Sequence, residues 1–283
     1  MQSINPIRPF PALLLKVDSK RVLVVADLHI GWEVTLTKRG VHVPSQTPKM
    51  LDKMLRLIEE TSPTEVIFLG DVKYTVSGIE VEEWRDIPHF FEAIQKKVPT
   101  IQVIPGNHDG NLEALLPQPV EIVPYTGTTL GDVGLFHGHA WPAPELLKCR
   151  SLITAHVHPM VTFRDPIGFR ITSQVWVKAE VDTHELAKSL LKHLGIKNNR
   201  HPERLFKEHF NVKPRSSQLF IIPSFNDFLG GRAINKKRHG KSGKTIPFIG
   251  PVLRSGSVRM EDAEIYLLDG TFLGTINQLR SLS

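Results

Sequence analysis

Short apolar runs alternate with amphipathic segments along the first half of the chain. Residues 12–17 and 21–26 are two β-type runs separated by three polar residues, which predicts an opening hairpin. Apolar residues recur at helical spacing from Thr47 to Glu60, which predicts an amphipathic helix with Thr47 as N-cap and Pro48 at its first position. Further strands are predicted at residues 66–69, 101–104, 120–123, 134–136, 152–154 and 220–222, and a further helix at about 87–97.

The pattern changes in the second half of the chain. Two helices are predicted between Asp182 and Phe210, the first capped by Asp182 with Glu185 three residues later. We interpret residues from about 175 to 215 as a helical insert. Residues 229–244 are rich in Gly, Lys and Arg and contain no acidic residue, which predicts a basic loop. The last predicted element is a hairpin over 263–276 with a type I′ turn at Asp269-Gly270.

Size and composition are those of a globular protein. With 283 residues, 41% of them hydrophobic, the chain is long enough for one large α/β domain with extensions or for two small domains, and we predict a single domain over residues 1–283. The apolar runs are far shorter than the roughly 20 residues of a membrane span, and no signal-peptide pattern is present, so no membrane association is expected. The single Cys149 excludes an intramolecular disulfide and favours a reducing, cytoplasmic setting. A formal charge of +6 favours polyanionic partners.

Polar clusters follow five of the apolar runs. They are Asp27-Leu28-His29, Gly70-Asp71, Gly106-Asn107-His108-Asp109, His137-Gly138-His139 and His156-Val157-His158. Ligand sites of open α/β sheets lie just beyond the carboxyl ends of the strands, so we expect these clusters to meet. Mixed nitrogen and oxygen donors suit manganese, iron or zinc, whereas calcium and magnesium prefer all-oxygen ligands. The sequence therefore predicts a catalytic metal site without thiolate ligands.

The order of these motifs resembles that of the calcineurin-like metallophosphoesterase superfamily. More narrowly, the chain is similar to the archaeal SbcD-related phosphoesterases. That similarity rests on Asp27-Leu28-His29-Ile30-Gly31 with Glu33, Gly70-Asp71-Val72-Lys73, Pro223-Ser224-Phe225-Asn226 and Leu267-Leu268-Asp269-Gly270-Thr271. The resemblance implies an α/β fold of four layers, α/β/β/α, with two mixed sheets face to face.

The resemblance also implies a role for each motif residue. Two divalent ions, most simply manganese with iron or zinc as alternatives, would share Asp71 as a bridging ligand. The implied ligands are Asp27, His29, Asp71 and His158 for one ion, and Asp71, Asn107, His137 and His156 for the other. His108 would contact the scissile phosphate or protonate the leaving oxygen, and Asp109 would orient His108 by hydrogen bonding. The chain departs from the family pattern at Ala155, usually glycine, and at Tyr74, often histidine.

Several residues near the motifs have two interpretations. His139 either contacts substrate or supports the site from its loop, and Trp141 either stacks on a base or packs in the core. The basic stretch, with Lys236, Lys237 and Arg238, either follows a nucleic-acid backbone or is a solvated loop.

Three functional hypotheses follow from the sequence. The first is an SbcD-like DNA nuclease in repair, for which a separate ATPase or repair partner and a homodimer are compatible with the sequence. The second is a small-molecule phosphatase or cyclic-nucleotide phosphodiesterase, because one metal site serves all these ester classes. The third is a non-catalytic interaction subunit, against which the retention of every ligand position argues. An open basic groove would favour the first, and a closed narrow pocket the second.

Overall fold

Two mixed β-sheets lie face to face in the computed structural model, which describes residues 2–165, 167–196, 201–236 and 248–281. In those ranges the first sheet has six strands in chain order, antiparallel up to the third strand and parallel thereafter. Its strands are β1 (Ser3–Pro6), β2 (Leu13–Val17), β3 (Lys20–Val25), β4 (Glu65–Phe68), β5 (Thr100–Val103) and β6 (Glu121–Ile122).

The second sheet is built from the remaining strands of the described chain. They are β7 (Thr128–Leu130), β8 (Val133–Leu135), β9 (Ser151–Thr154), β10 (Pro159–Arg164), β11 (Arg170–Glu180), β12 (Gln218–Ile221), β13 (Arg232–Ala233), β14 (Glu264–Leu267) and β15 (Phe272–Thr275). β9 lies between β8 and β12 and is parallel to both. The long strand β11 is antiparallel to β10, β12 and β14.

Helices cover the outer faces of the two sheets. They are α1 (Glu33–Thr37), α2 (Thr47–Thr61), α3 (Val81–Gln95), α4 (Thr183–His193), α5 (Pro202–Phe210), α6 (Pro251–Arg254) and α7 (Ile276–Ser281), with 3-10 turns at Leu112–Ala114 and Pro144–Lys148. α2 and α3 pack on the first sheet, and α4 and α5 on the second. None of the helices in the described ranges combines the length and apolar character that crossing a bilayer requires.

Alternation along the strands decides which layer each side chain enters. In β3, Leu23 and Val25 pack toward α2 and α3, whereas Val22 and Val24 face the second sheet. In β11, Val175 packs toward the outer helices of its own sheet, while Trp176 lies in the layer between the sheets. Both faces of β3 are buried from Val22 to Val25, which explains the continuous apolar run of that strand. The four-layer α/β/β/α sandwich expected from the sequence is confirmed.

Two helix starts differ from the predicted ones. α2 begins at Thr47, so Gln46 and not Thr47 occupies the N-cap position. α3 begins at Val81, six residues before the predicted start, because Glu80 and Glu83 form a reciprocal capping box there. Four of the six residues before the predicted start are charged, namely Glu82, Glu83, Arg85 and Asp86, so the apolar periodicity gave no signal for this part of α3.

The predicted helical insert and basic loop also need correction. Residues 175–180 belong to β11, because Val175, Val177 and Ala179 alternate into the core as a strand requires. Asp182 does cap α4 by accepting a hydrogen bond from the Glu185 amide, 3.0 Å away. Within the predicted basic loop, Arg232–Ala233 form strand β13 beside β10. Residues 237–244 of that loop lie outside the described residues.

The final hairpin is present, but its turn is not of type I′. The Gly270 amide donates to the Leu267 carbonyl at 2.9 Å, and the Leu267 amide donates to the Thr271 carbonyl at 2.9 Å. Gly270 has a positive φ of 91°, whereas Asp269 is not among the residues with positive φ. A type I′ turn needs positive φ at both central residues, so the loop is a three-residue turn that ends in a glycine bulge.

We expect the layer between the sheets to set the stability of the whole sandwich. Replacing the fully buried Ile153 in β9 by Ala should lower the free energy of unfolding by about 2–5 kcal/mol through lost burial and a residual cavity. Denaturant titration monitored by circular dichroism measures this change. The control Val81→Ala, at a position 77% exposed, should stay within about 0.5 kcal/mol of the parent.

Candidate metal centre and active site

Five loops at the carboxyl ends of β3, β4, β5, β8 and β9 carry the polar clusters, as the sequence predicted. The structure brings their Asp and His side chains into two groups that share Asp71. In each group, one ligand atom per residue lies within 4.8 Å of the others. The first group contains Asp27, His29, Asp71 and His158, and the second contains Asp71, His137 and His156. The first sheet thus supplies both carboxylates, and the second sheet supplies three of the four imidazoles.

The distances within the groups are those of a ligand cage. Asp71 Oδ2 lies 3.4 Å from His29 Nε2 and 3.4 Å from His137 Nε2. His158 Nε2 lies 3.4 Å from Asp27 Oδ1 and 3.3 Å from His29 Nε2. Atoms that bind one ion at about 2.0–2.2 Å stand roughly 3.0–3.5 Å from one another. The observed separations therefore fit a divalent cation.

The hydrogen bonds within the site leave His137 Nε2 and Asp27 Oδ1 available as metal ligands. His137 Nδ1 donates to the Leu69 carbonyl at 2.8 Å, which leaves Nε2 as the ring atom that can bind a metal. His137 Nε2 and Asp27 Oδ1 are both buried, and neither makes a well-aligned hydrogen bond among the described residues. Each has one charged or ring neighbour at 3.4 Å, Asp71 Oδ2 and His158 Nε2 respectively. Buried polar atoms are rarely left unpaired, so the donor set fits a metal pair.

Burial and neighbouring charges set the protonation of the imidazoles. Burial lowers the pKa of His29 to about 3 and that of His156 to about 4, so both rings are neutral and able to bind metal at pH 7. Burial also disfavours charge on His137, but the Asp71 and Asp27 carboxylates outweigh it and raise the His137 pKa to about 9. A proton on His137 thus balances the buried carboxylates, and a bound cation would displace it.

The backbone at the site adopts a conformation that few non-glycine residues use. Asp27, His29, Asp71, His156 and His158 have φ between 45° and 68°, in the left-handed region. Such backbone is strained, and in folded proteins it concentrates at functional sites. In these loops the left-handed backbone directs the Asp and His side chains toward one common centre.

Comparison with known proteins now decides the family. The profile of the calcineurin-like phosphoesterases matches residues 20–218. The chain belongs to the calcineurin-like phosphoesterase family. It is therefore a hydrolase of phosphate esters, as the sequence predicted. This family typically binds two divalent metals, and the two Asp and His groups offer ligand atoms that could hold them.

More distant likenesses are found among solved structures. The chain is similar to the nuclease MPE of Pseudomonas putida, with 16% identity over 95% of this chain and 98% of that one and a TM-score of 0.47. It is also similar to Yfce, a phosphoesterase from E. coli, with 19% identity over 51% of this chain and 73% of that one and a TM-score of 0.33. No curated protein matches the chain.

The late motif of this phosphoesterase supports the first metal loop, a role that the sequence analysis missed. Ser224 Oγ donates to the Asp27 carbonyl at 2.7 Å, and Asn226 Nδ2 donates to the Leu28 carbonyl at 2.9 Å. The Phe225 amide donates to the Ala26 carbonyl at 2.8 Å. These contacts hold the loop that contains Asp27 and His29. The sequence signal for this role was the pair Ser224 and Asn226, which follows β12 just as the metal clusters follow their strands.

Asp109 does not have the predicted contact with the His108 ring. Its Oδ1 accepts hydrogen bonds from the amides of Val72 and Lys73, and its Oδ2 from that of Gly106. The Asp109 carboxyl is committed to these backbone amides, so it fixes the two loops against each other. The His108 ring is held instead through Nδ1 by the Tyr74 carbonyl. Burial, together with the Asp71 charge, raises the Asp109 pKa to about 6.

His108 and Asn107 lie in the loop after β5. The His108 amide donates to Asp71 Oδ1 at 2.9 Å, and its ring centroid is 4.7 Å from that of His29. Asn107 is exposed beside it. The two groups count only Asp and His side chains, so the ligand role of Asn107 stays a prediction. An added Cβ at Gly106 would collide with Asp71, so only glycine fits there.

The predicted substrate residues have different positions. His139 is half-buried, with its ring centroid 5.3 Å from that of His137, so it borders the second group. Lys236 is half-buried just after β13. Lys237 and Arg238 lie outside the described residues. Binding by these basic residues stays a prediction.

A solvent-open cleft of about 700 Å³ adjoins the second group. Its lining includes His139 and His156 together with Tyr125, Trp141 and Arg254. Gly250 also lines it and packs so closely on the Gly138 carbonyl that a side chain would collide with it.

Because both groups share Asp71, its removal should empty both. We expect Asp71→Ala to lose both manganese ions per chain, whereas the exposed Asp52→Ala on α2 should retain them. Inductively coupled plasma mass spectrometry of protein dialysed against manganese measures the content. Retention of two ions by Asp71→Ala would contradict a shared ligand, and circular dichroism verifies that the variant is folded.

Proposed function

We propose that this chain is a two-metal phosphodiesterase that cleaves DNA. The observation that carries the proposal is the pair of Asp and His groups joined through Asp71, with His156 of the second group lining an open cleft. Two cations held at neighbouring sites neutralise the charge that develops on a phosphate ester and activate water for in-line attack on phosphorus.

The ligand assignment follows the two groups. Asp27, His29, Asp71 and His158 would hold one ion. Asp71, His137 and His156 would hold the other, with Asn107 added from its neighbouring loop. Manganese suits this mixture of nitrogen and oxygen donors, with iron and zinc as alternatives.

His108 is the group that would act on the leaving oxygen. Its Nδ1 contacts the Tyr74 carbonyl, which only accepts hydrogen bonds, so Nδ1 carries a proton and Nε2 remains for substrate. The amide contact with Asp71 keeps the ring next to the shared carboxylate. A protonated Nε2 can donate to the leaving oxygen, and a neutral one can accept a proton in the reverse direction.

Three features support DNA as the substrate. The chain has a formal charge of +6, which favours a polyanion. The cleft beside the second group is open to solvent, as binding of a polymer requires. The described part of the basic loop and the chain after the loop both contact the site. The Arg232 amide donates to the His158 carbonyl at 2.9 Å, and Gly250 contacts Gly138, which is next to His137.

Other parts of the first hypothesis stay predictions. They are a closer relationship to the SbcD-related phosphoesterases, a role in DNA repair, a separate ATPase or repair partner, a homodimer and a cytoplasmic location. The buried, single Cys149 is compatible with a reducing compartment.

We expect His108→Ala to separate chemistry from metal binding. Manganese content should be unchanged, whereas kcat for bis-p-nitrophenyl phosphate should fall by about 100-fold or more, since general acid catalysis contributes about 10²–10⁴. The control His42→Ala, at an exposed position, should keep the parent rate. Full activity of His108→Ala with normal metal content would remove the role assigned to His108.

The substrate class is tested by direct comparison of esters. Fluorescent single- and double-stranded DNA, bis-p-nitrophenyl phosphate and p-nitrophenyl phosphate are incubated with enzyme in manganese and in chelator. We expect manganese-dependent cleavage of DNA and of the diester, with the monoester slowest. Turnover of the small esters without DNA cleavage would instead establish the small-molecule phosphoesterase.

A further inference from the structure

The cleft beside the second metal group has an aromatic lining that the hydrolytic reaction itself does not need. Of its described residues, Tyr125, Trp141 and His193 are outside both Asp and His groups. His139 and His156 connect this lining with the second group, at ring-centroid distances of 6.1 Å from Tyr125 to His139 and 6.3 Å from His139 to His156. The lining therefore begins where the scissile phosphate would be held.

Tyr125 is available to a ligand. Its side chain is 55% exposed, although a tyrosine ring is normally packed against other residues. It lies in the loop between β6 and β7 and lines the cleft. Because more than half of the residue is exposed, part of its ring is accessible to a ligand.

Trp141 forms another part of the lining and is firmly placed. It is half-buried and packs against the core of the second sheet, while its ring is stacked on His193 at 5.6 Å with an interplanar angle of 26°. The two interpretations left open by the sequence are therefore compatible, since Trp141 both packs in the core and borders the cleft.

Arg254 adds a positive charge to the same cleft. Its Nε donates to the Phe248 carbonyl at 3.1 Å, which orients the exposed guanidinium. The remaining guanidinium N–H groups can donate to phosphate oxygens. An aromatic surface next to a cation is the combination that single-stranded nucleic acids bind, with bases stacked on rings and phosphates on Arg.

We propose that this cleft binds the nucleobase next to the scissile phosphate, stacked on Tyr125, with Arg254 directed at the adjoining phosphate. The cleft volume of about 700 Å³ lies within the roughly 300–1,000 Å³ of small-molecule sites. This inference rests on the proposed phosphodiesterase function and gives it a substrate preference for diesters that carry a base over diesters that do not.

The test compares diesters that differ only by a nucleoside. Thymidine 5′-(p-nitrophenyl phosphate), its 3′ isomer and methyl p-nitrophenyl phosphate share one leaving group. We expect kcat/KM for at least one thymidine ester to exceed that of the methyl ester by about tenfold or more, a typical effect of one stacked base. Tyr125→Leu should reduce this ratio by about tenfold, Tyr125→Phe should retain it, and so should the control Trp84→Leu, 51% exposed on α3.

The outcomes separate the inference from the proposed function. Equal kcat/KM for all three esters, or a ratio unchanged in Tyr125→Leu, would overturn the base-binding cleft while the phosphodiesterase function stands. If no ester is hydrolysed with manganese, the proposed function fails, and base binding is then decided by affinity alone.

That affinity is measured with the His108→Ala protein. Fluorescence anisotropy compares labelled oligothymidylate with an abasic oligonucleotide of equal length. Tighter binding of oligothymidylate, lost in His108→Ala/Tyr125→Leu, supports the inference, and equal binding of the two overturns it. Unlabelled thymidine monophosphate and unlabelled oligothymidylate are then compared as competitors at equal nucleotide concentration. Equal displacement of the labelled oligonucleotide would show that the cleft binds the base of a mononucleotide substrate, whereas weaker displacement by the monophosphate would show that it binds a base within a DNA strand.

Discussion

The buried Asp71 carboxylate is the contact on which the rest of the site depends. Its two oxygens have separate duties, since Oδ1 accepts the His108 amide while Oδ2 faces the Nε2 atoms of His29 and His137. A carboxylate so removed from water is costly unless positive charge is close. Without metal, the proton on His137 supplies that charge, and the neighbouring imidazoles lower the Asp71 pKa against the effect of burial. The site is therefore a buried negative centre that favours cations.

Maintaining this centre requires loops that cannot relax. Asp27, Asp71 and His158 have left-handed backbone, which costs of order 1–3 kcal/mol for each such residue. Hydrogen bonds from other loops oppose that cost. Asp109 joins the loop after β5 to the loop after β4, and Ser224 with Asn226 holds the loop after β3. Residues that bind no metal thus determine where the ligands stand.

The site also depends on the packing of one sheet against the other. Asp27, His29 and Asp71 follow strands of the first sheet, whereas His137, His156 and His158 follow strands of the second. Neither sheet carries a complete group, because each group draws on both. The apolar layer between them, with Leu15 and Ile153 among its members, sets the distance across which the ligands meet. The geometry of the metal ligands therefore depends on the packing of the layer between the sheets.

The sequence by itself determined the strands that lead to the site and the polar clusters that follow them. Apolar runs and polar clusters are local patterns, so β3, β4, β5, β8, β9 and the clusters behind them were predictable, whereas the four-layer fold and the two Asp and His groups were expected from the resemblance to a family. Tertiary structure alone decided contacts between residues distant in the chain. The exposed Tyr125 came to lie by His139, Asp109 bonded the amides of another loop in place of the His108 ring, and Ser224 reached Asp27 across 197 positions. Sequence patterns report the periodicity of single elements, whereas such contacts depend on how separate elements pack, which no local pattern encodes.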